Sequence, residues 1–194
     1  MEAMWTRFLP TITEVLEVID KGGIGSVKKV EANFTFDMPL NEQSRLFNKA
    51  LGGGALLDIG IYPMTLVNLV LGEPKDFNTT VEMSETGVDI SHTIDYVYDN
   101  ASAHMYASFK DDSEPKAVIH GTNGRIEMSI FGKRIPPIFI RLKETWLELF
   151  ITLTPSTALN MKLPRSSTAL NNTSLKVTSM PQTVLDNLKT DGRS

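Results

Sequence analysis

The chain has 194 residues, 41% of them apolar, a formal net charge of −4 and no cysteine. That length suits one domain able to bury a core without covalent staples. The composition excludes disulfides, thiolate nucleophiles and Cys-ligated metals, and the mild negative charge gives nucleic acid or an anionic membrane nothing to hold. Lacking cysteine, and with no basic-then-apolar leader at residues 1–8, the chain reads as cytoplasmic.

Pro10 opens a helical pattern with Ile12, Val15, Leu16 and Ile19 on one stripe, stopped by Gly22-Gly23. Residues 26–36 read as a strand, since Val30, Ala32, Phe34 and Phe36 alternate with Glu31, Asn33 and Thr35. Residues 37–51 show no period and read as a long polar loop. A second helix is expected over 54–71. Pro63 lacks an N–H and crowds the preceding turn, so this helix either kinks there or starts near Gly60 with Pro63 in its first turn. The apolar window 55–71 contains Asp58, Pro63 and Asn68 and is short for a membrane span.

Alternating segments follow at 77–85, 90–98 and 101–109, with Asp99-Asn100 as a tight turn, and then at 117–120 and 125–129 around Gly121-Thr122-Asn123-Gly124. Short links between strands imply antiparallel pairing, and clean alternation implies one buried face. The expected fold is therefore α+β: a large, predominantly antiparallel open sheet with helices packed on one face. After residue 135 the pattern weakens; Pro136-Pro137 interrupts it, and residues 182–189 read as a terminal helix.

The stretch richest in chemistry is Gly52-Gly53-Gly54-Ala55-Leu56-Leu57-Asp58-Ile59-Gly60-Ile61-Tyr62. On a helix, Asp58 and Tyr62 lie one turn apart on one face. Tyr62 reads as an acid/base group or as a core or interface tyrosine. Asp58 would orient a substrate hydroxyl, or Tyr62, or would cap a helix start. Gly52, Gly53 and Gly54 would shape the way in for substrate or cofactor, or permit a tight turn. His92, on a face with apolar neighbours, reads as a core histidine and His104 as facing the other way. No pair has helical metal-ligand spacing, so no metal site is expected. Glu42 with Asp58 offers the nearest carboxylate pair for a hydrolase or isomerase, with nothing fixing their separation.

Residues 2–10 (Glu-Ala-Met-Trp-Thr-Arg-Phe-Leu-Pro), 23–27 (Gly-Ile-Gly-Ser-Val), the 52–62 stretch and 121–124 together resemble the C-terminal substrate domain of the glucose–fructose oxidoreductase / inositol dehydrogenase / MocA family. Tyr at position 62, where many relatives have His, is most similar to the dihydrodiol and D-xylose dehydrogenase branch. The resemblance runs to about Gly132. It implies NAD- or NADP-dependent oxidation of a secondary alcohol on a sugar, polyol or diol. It also implies Tyr62 as the acid/base, Arg7 at a family-matching position where an interdomain or solvated role is expected, and a homodimer through the open sheet face.

The same resemblance implies a Rossmann domain with G-x-G-x-x-G and a Glu-Lys-Pro motif, and this sequence has neither. The chain thus reads as starting at an interdomain junction, with residues 1–10 the remnant of that junction and 11–194 a substrate and oligomerisation domain. Alone it is expected to be inactive, with the dinucleotide bound mainly elsewhere. The competing reading is a non-catalytic sugar-binding or oligomerisation module.

Overall fold

A computed structural model describes residues 4–129 together with the strand segments Ile138–Leu142, Glu148–Leu153 and Leu159–Lys162. A 3-10 turn, Trp5–Phe8, leads into helix α1, Pro10–Asp20, with Pro10 at the first helical position where its missing N–H costs nothing. Strand β1, Val27–Thr35, follows, and then the 37–51 segment, which carries two 3-10 turns, Arg45–Phe47 and Lys49–Leu51.

Next comes a π turn, Leu56–Gly60, continuous with helix α2, Ile61–Leu71. The outcome for Pro63 lies between the two that were open: helical backbone already runs through the π turn, and Pro63 is the third residue of the regular α-helix that follows it. The turn before it widens to an i→i−5 bond from Ile61 N–H to Leu56 O. A widened turn relieves the crowding that proline imposes on the preceding carbonyl. By length and composition alone the helical stretch Lys49–Leu71 is long and apolar enough to cross a membrane. It is built of unlike pieces, however, and α2 packs on β1 and β4.

Six further strands continue the fold: β2 Asp76–Met83, β3 Asp89–Val97, β4 Ser102–Ser108, β5 Lys116–Gly121, β6 Gly124–Ser129 and β7 Ile138–Leu142. β8, Glu148–Leu153, and β9, Leu159–Lys162, complete one nine-stranded sheet in the order β2-β3-β4-β1-β5-β6-β7-β8-β9. Every neighbouring pair is antiparallel except β1–β4. The mixed apolar run from Ile138 thus extends the sheet. The helix expected at 182–189 lies outside the described residues.

The parallel pair has a simple cause. β4 and β5 are consecutive in the chain, yet β1 is inserted between them. The 109–115 link must therefore cross the end of β1. Thr35 Oγ1 donates to Ser113 O at 3.1 Å and accepts from Ser113 N–H at 3.0 Å, while Asn33 Nδ2 donates to Ser113 Oγ and Glu114 O. At the opposite end of β1, the 23–27 turn docks on the β5–β6 hairpin. Asn123 N–H donates to Ile24 O at 2.9 Å, and Ser26 N–H to Thr122 Oγ1 at 3.1 Å.

The inner face buries Val30 and Ala32 of β1, His92, Ile94 and Tyr96 of β3, Ala103, Met105 and Ala107 of β4, Ile119 of β5 and Ile126 of β6. α2 covers it with Leu66 and Val67. Gly60 lets the π turn approach closely: a side chain there would crowd Met105 Cε at 3.2 Å and Ala107 Cβ at 3.3 Å. The outer face is polar and cross-linked. His120 Nε2 meets Glu31 Oε2 at 2.9 Å, Lys29 reaches the same carboxylate at 2.6 Å, and His104 Nδ1 meets Asp95 Oδ1 at 2.7 Å. The hydrogen bond from Lys29, seconded by His120, holds the Glu31 carboxyl below its ordinary value.

Candidate functional site

Tyr62, the second residue of α2, is half-buried above the C-terminal end of β1. Its ring lies 5.8 Å from that of Phe34 and 5.5 Å from that of Trp5, centroid to centroid. The Trp5 indole Nε1–H donates to the Tyr62 hydroxyl at 3.3 Å. The Trp5–Phe8 turn is thereby fastened over α2. The aromatic contacts continue from Phe34 to Phe36, from Phe36 to Phe109 and from Phe109 to the buried Phe47 of the 37–51 segment. Tyr62 thus sits where the N-terminal turn, β1 and α2 converge, at the rim of the core.

Asp58 occupies the middle of the π turn and is 20% exposed. Its Oδ1 accepts from Arg45 Nη2, so the 37–51 segment is clamped to the π turn by an ion pair. Of the readings open for Asp58, the capping one describes another residue. Asp89, the first residue of β3, accepts the Leu56 N–H on its Oδ2 at 2.6 Å. No local signal marks Asp89 as a cap, since it lies 33 positions beyond the amide it binds.

The three glycines have unlike surroundings. Gly52 is exposed and nothing lies near a side chain added to it. Gly53 is buried against the Arg45–Phe47 turn, where a Cβ would stand 2.6 Å from Leu46 O and 2.7 Å from Arg45 O. Gly54 is buried at φ +122°, and the Asp89 carboxylate fills the place of its missing side chain. The tight-turn role is therefore visible at all three, Gly52 closing the Lys49–Leu51 turn at φ +69°, and only Gly52 reaches solvent. Arg7 is exposed in the last turn before α1.

His92 is buried, with Nε2 at 2.8 Å from Thr79 Oγ1, while Nδ1 has no hydrogen-bond partner and stands 3.8 Å from Asp89 Oδ2. His104 lies on the outer face, as expected from alternation. Glu42 is exposed on the 37–51 segment. Among the described residues no group of three or more His, Asp or Glu is arranged to hold a metal ion.

Large apolar side chains are exposed at several places among the described residues: Trp5 and Phe8 in the first turn, Met38, Leu40 and Leu51 in the 37–51 segment, Leu57 in the π turn, Phe77, Val81 and Met83 on β2 and Val97 on β3. Phe8 is 80% exposed.

Residues 12–127 match the family described as the GFO/IDH/MocA C-terminal domain. The chain is 33% identical over 158 residues to a trans-1,2-dihydrobenzene-1,2-diol dehydrogenase of Xenopus laevis, an alignment covering 80% of this chain and 47% of that protein. It therefore spans about half the length of that relative. Among solved structures, a 3-ketoreductase from Actinomadura kijaniata in complex with NADP superposes with a TM-score of 0.67 at 24% identity, covering 75% of this chain and 46% of that one. An inositol dehydrogenase homolog from Azotobacter vinelandii complexed with NAD+ gives 0.64 at 15% identity, covering 73% and 41%. These structural likenesses speak to the fold. The sequence match shows that the chain belongs to the GFO/IDH/MocA family, as a C-terminal domain of that family.

Proposed function

We propose that this chain is the substrate-binding portion of an NAD(P)-dependent oxidoreductase that acts on the CH–OH group of a sugar, polyol or diol. Tyr62 exchanges the hydroxyl proton. The observation that carries this reading is the setting of Tyr62: a phenol at the rim of the core, its oxygen receiving the Trp5 indole N–H. The indole donor fixes the phenol oxygen in place at the rim of the core. In this reading Asp58, braced by Arg45, orients a substrate hydroxyl, and the exposed Gly52 and Arg7 belong to the entrance for substrate and cofactor.

The 22–25 glycine run does not fit the pyrophosphate of a dinucleotide. A phosphate cradle needs a glycine turn between a strand and a helix, with open backbone N–H groups. Here the 22–25 glycine run follows α1, and Thr122 and Asn123 crowd the place of a side chain at Gly25. In this reading the cofactor, NAD or NADP, is held mainly outside the described residues. The nicotinamide supplies or accepts the hydride, and the residues described here contribute the proton and the grip on the substrate.

The polar outer face of the sheet, which no described helix covers, is the homodimer surface; sedimentation of the chain as a monomer at micromolar concentration removes that part. The absence of cysteine suits a cytoplasmic setting.

A direct test uses the 194-residue chain by itself. Titration into NADH and into NADPH is expected to leave the fluorescence of both unchanged. Joining the chain to a nucleotide-binding half of the same family is expected to produce saturable quenching and oxidation of a diol or sugar. Saturable quenching by the chain alone overturns the division of labour. A joined protein that binds the dinucleotide yet oxidises no sugar, polyol or diol favours a non-catalytic module instead.

A further inference from the structure

We infer that Asp89 is a positioning residue for Tyr62: a carboxylate supplied by β3 that fixes the start, and hence the rotation, of the helical segment carrying the phenol. The inference rests on the reading of Tyr62 as the proton-exchanging group, and it assigns no contact between Asp89 and substrate.

The first helical N–H groups have no partner within their own helix and must find one elsewhere. In this chain the residues before the π turn are Gly53, Gly54 and Ala55, which carry no side-chain acceptor. Asp89 takes that place from across the fold, accepting Leu56 N–H at 2.6 Å. A charged acceptor at a helix start both satisfies the donor and complements the dipole.

The fit is shaped on both sides. Gly54, at φ +122°, leaves the room that the carboxylate fills, and any side chain there would collide with Asp89 Oδ1. Asp89 stands near His92, three residues further along β3, whose Nδ1 lies 3.8 Å from Oδ2. Thr79 on β2 holds the other ring nitrogen at 2.8 Å. A line of contacts therefore runs Thr79, His92, Asp89, Leu56 N–H, from the edge of the sheet to the π turn.

From Leu56 the covalent path to Tyr62 is six residues of unbroken helical backbone. A π turn is less tightly defined than an α turn, because its hydrogen bonds span a wider ring. It needs anchors to hold one rotation. Two are present: Asp89 at its first residue and Arg45 on Asp58 at its middle. Asp89 is the more enclosed of the two, with its side chain 18% exposed against 56% for Arg45. Release of the first anchor lets the segment turn, and the Tyr62 hydroxyl leaves the Trp5 indole.

The test uses the full 194-residue chain and two readouts that do not depend on activity: amide hydrogen exchange, and the indole N–H resonance of Trp5, identified by its loss in Trp5→Phe. In Asp89→Ala, exchange at residues 56–62 is expected to quicken tenfold or more and the Trp5 indole resonance to shift. The β5 and β6 amides keep their protection. Asp89→Asn retains an acceptor oxygen and is expected to restore both signals. Unchanged exchange at 56–62, a uniform quickening across the sheet, or failure of Asn to restore the signals overturns the inference. Should Asp89→Ala not fold, the unaltered chain decides the matter: a scalar coupling across the hydrogen bond, from Leu56 amide nitrogen to the Asp89 carboxyl carbon, is expected, and its absence overturns the inference. If Tyr62 proves dispensable for turnover while these signals behave as expected, the functional reading fails and the positioning of the segment stands.

Discussion

Tyr62→Phe, in the chain joined to a nucleotide-binding half, is expected to cut turnover by about a hundredfold or more while KM moves only a few-fold. A hundredfold loss corresponds to about 2.7 kcal/mol of transition-state stabilisation. The substitution is clean because the ring contacts, 5.5 Å to Trp5 and 5.8 Å to Phe34, belong to the ring and survive in phenylalanine. What disappears is the hydroxyl that accepts the Trp5 indole N–H and exchanges the proton. Steady-state kinetics on a diol or sugar substrate, with circular dichroism to verify folding, reads the result. Turnover that stays at the parent level removes Tyr62 from the chemistry.

Gly121→Ala is the stability counterpart. A methyl at Gly121 would run into the Ile24 backbone carbonyl, so neither partner can yield by rotating a side chain. That contact closes the 23–27 turn onto the β5–β6 hairpin, beside the Asn123 N–H to Ile24 O bond. Overpacking against backbone is expected to cost about 3 kcal/mol and to lower Tm by roughly 10 °C in a chain of this size. Gly87→Ala is the control. Gly87 has φ +78° and open space around it, so its replacement costs only backbone strain, about 1 kcal/mol. Thermal melts that rank the two variants equally would show that the turn and the hairpin are not pressed together.

Much of this arrangement was legible in the sequence. Alternation located β3, β4 and β5 to within a residue or two, because a half-buried strand writes its two faces directly into the residue order. Pro10 and Gly22 bounded α1 for equally local reasons. Pro63 announced an irregularity and left its form open, since a kink and a late start relieve the same crowding.

The insertion of β1 between β4 and β5 was not legible. Alternation says which face a residue takes and is silent on which strand lies alongside. For the same reason the glycine run was ambiguous. What sits against Gly54 is Asp89, and nothing near residue 54 in the sequence points to residue 89. The Arg45–Asp58 pair was hidden likewise, because residues 37–51 carry no period from which a direction can be read. The strands after Ile138 escaped notice because Ile138-Phe139-Ile140 is apolar without alternation.

The seat of β1 in the middle of the sheet also bears on how the polypeptide reaches its native state. Both partners of this early segment, Ser102–Ser108 and Lys116–Gly121, are made some seventy or more residues after it. A ribosome therefore releases the centrepiece long before the pieces that flank it, and its two bare edges must wait. Closing such distant contacts is entropically slow, and an unpaired edge in the interval invites association with other chains. Assembly must finish around β1, from the carboxyl-terminal side inward, and cannot grow outward from the first strand synthesised.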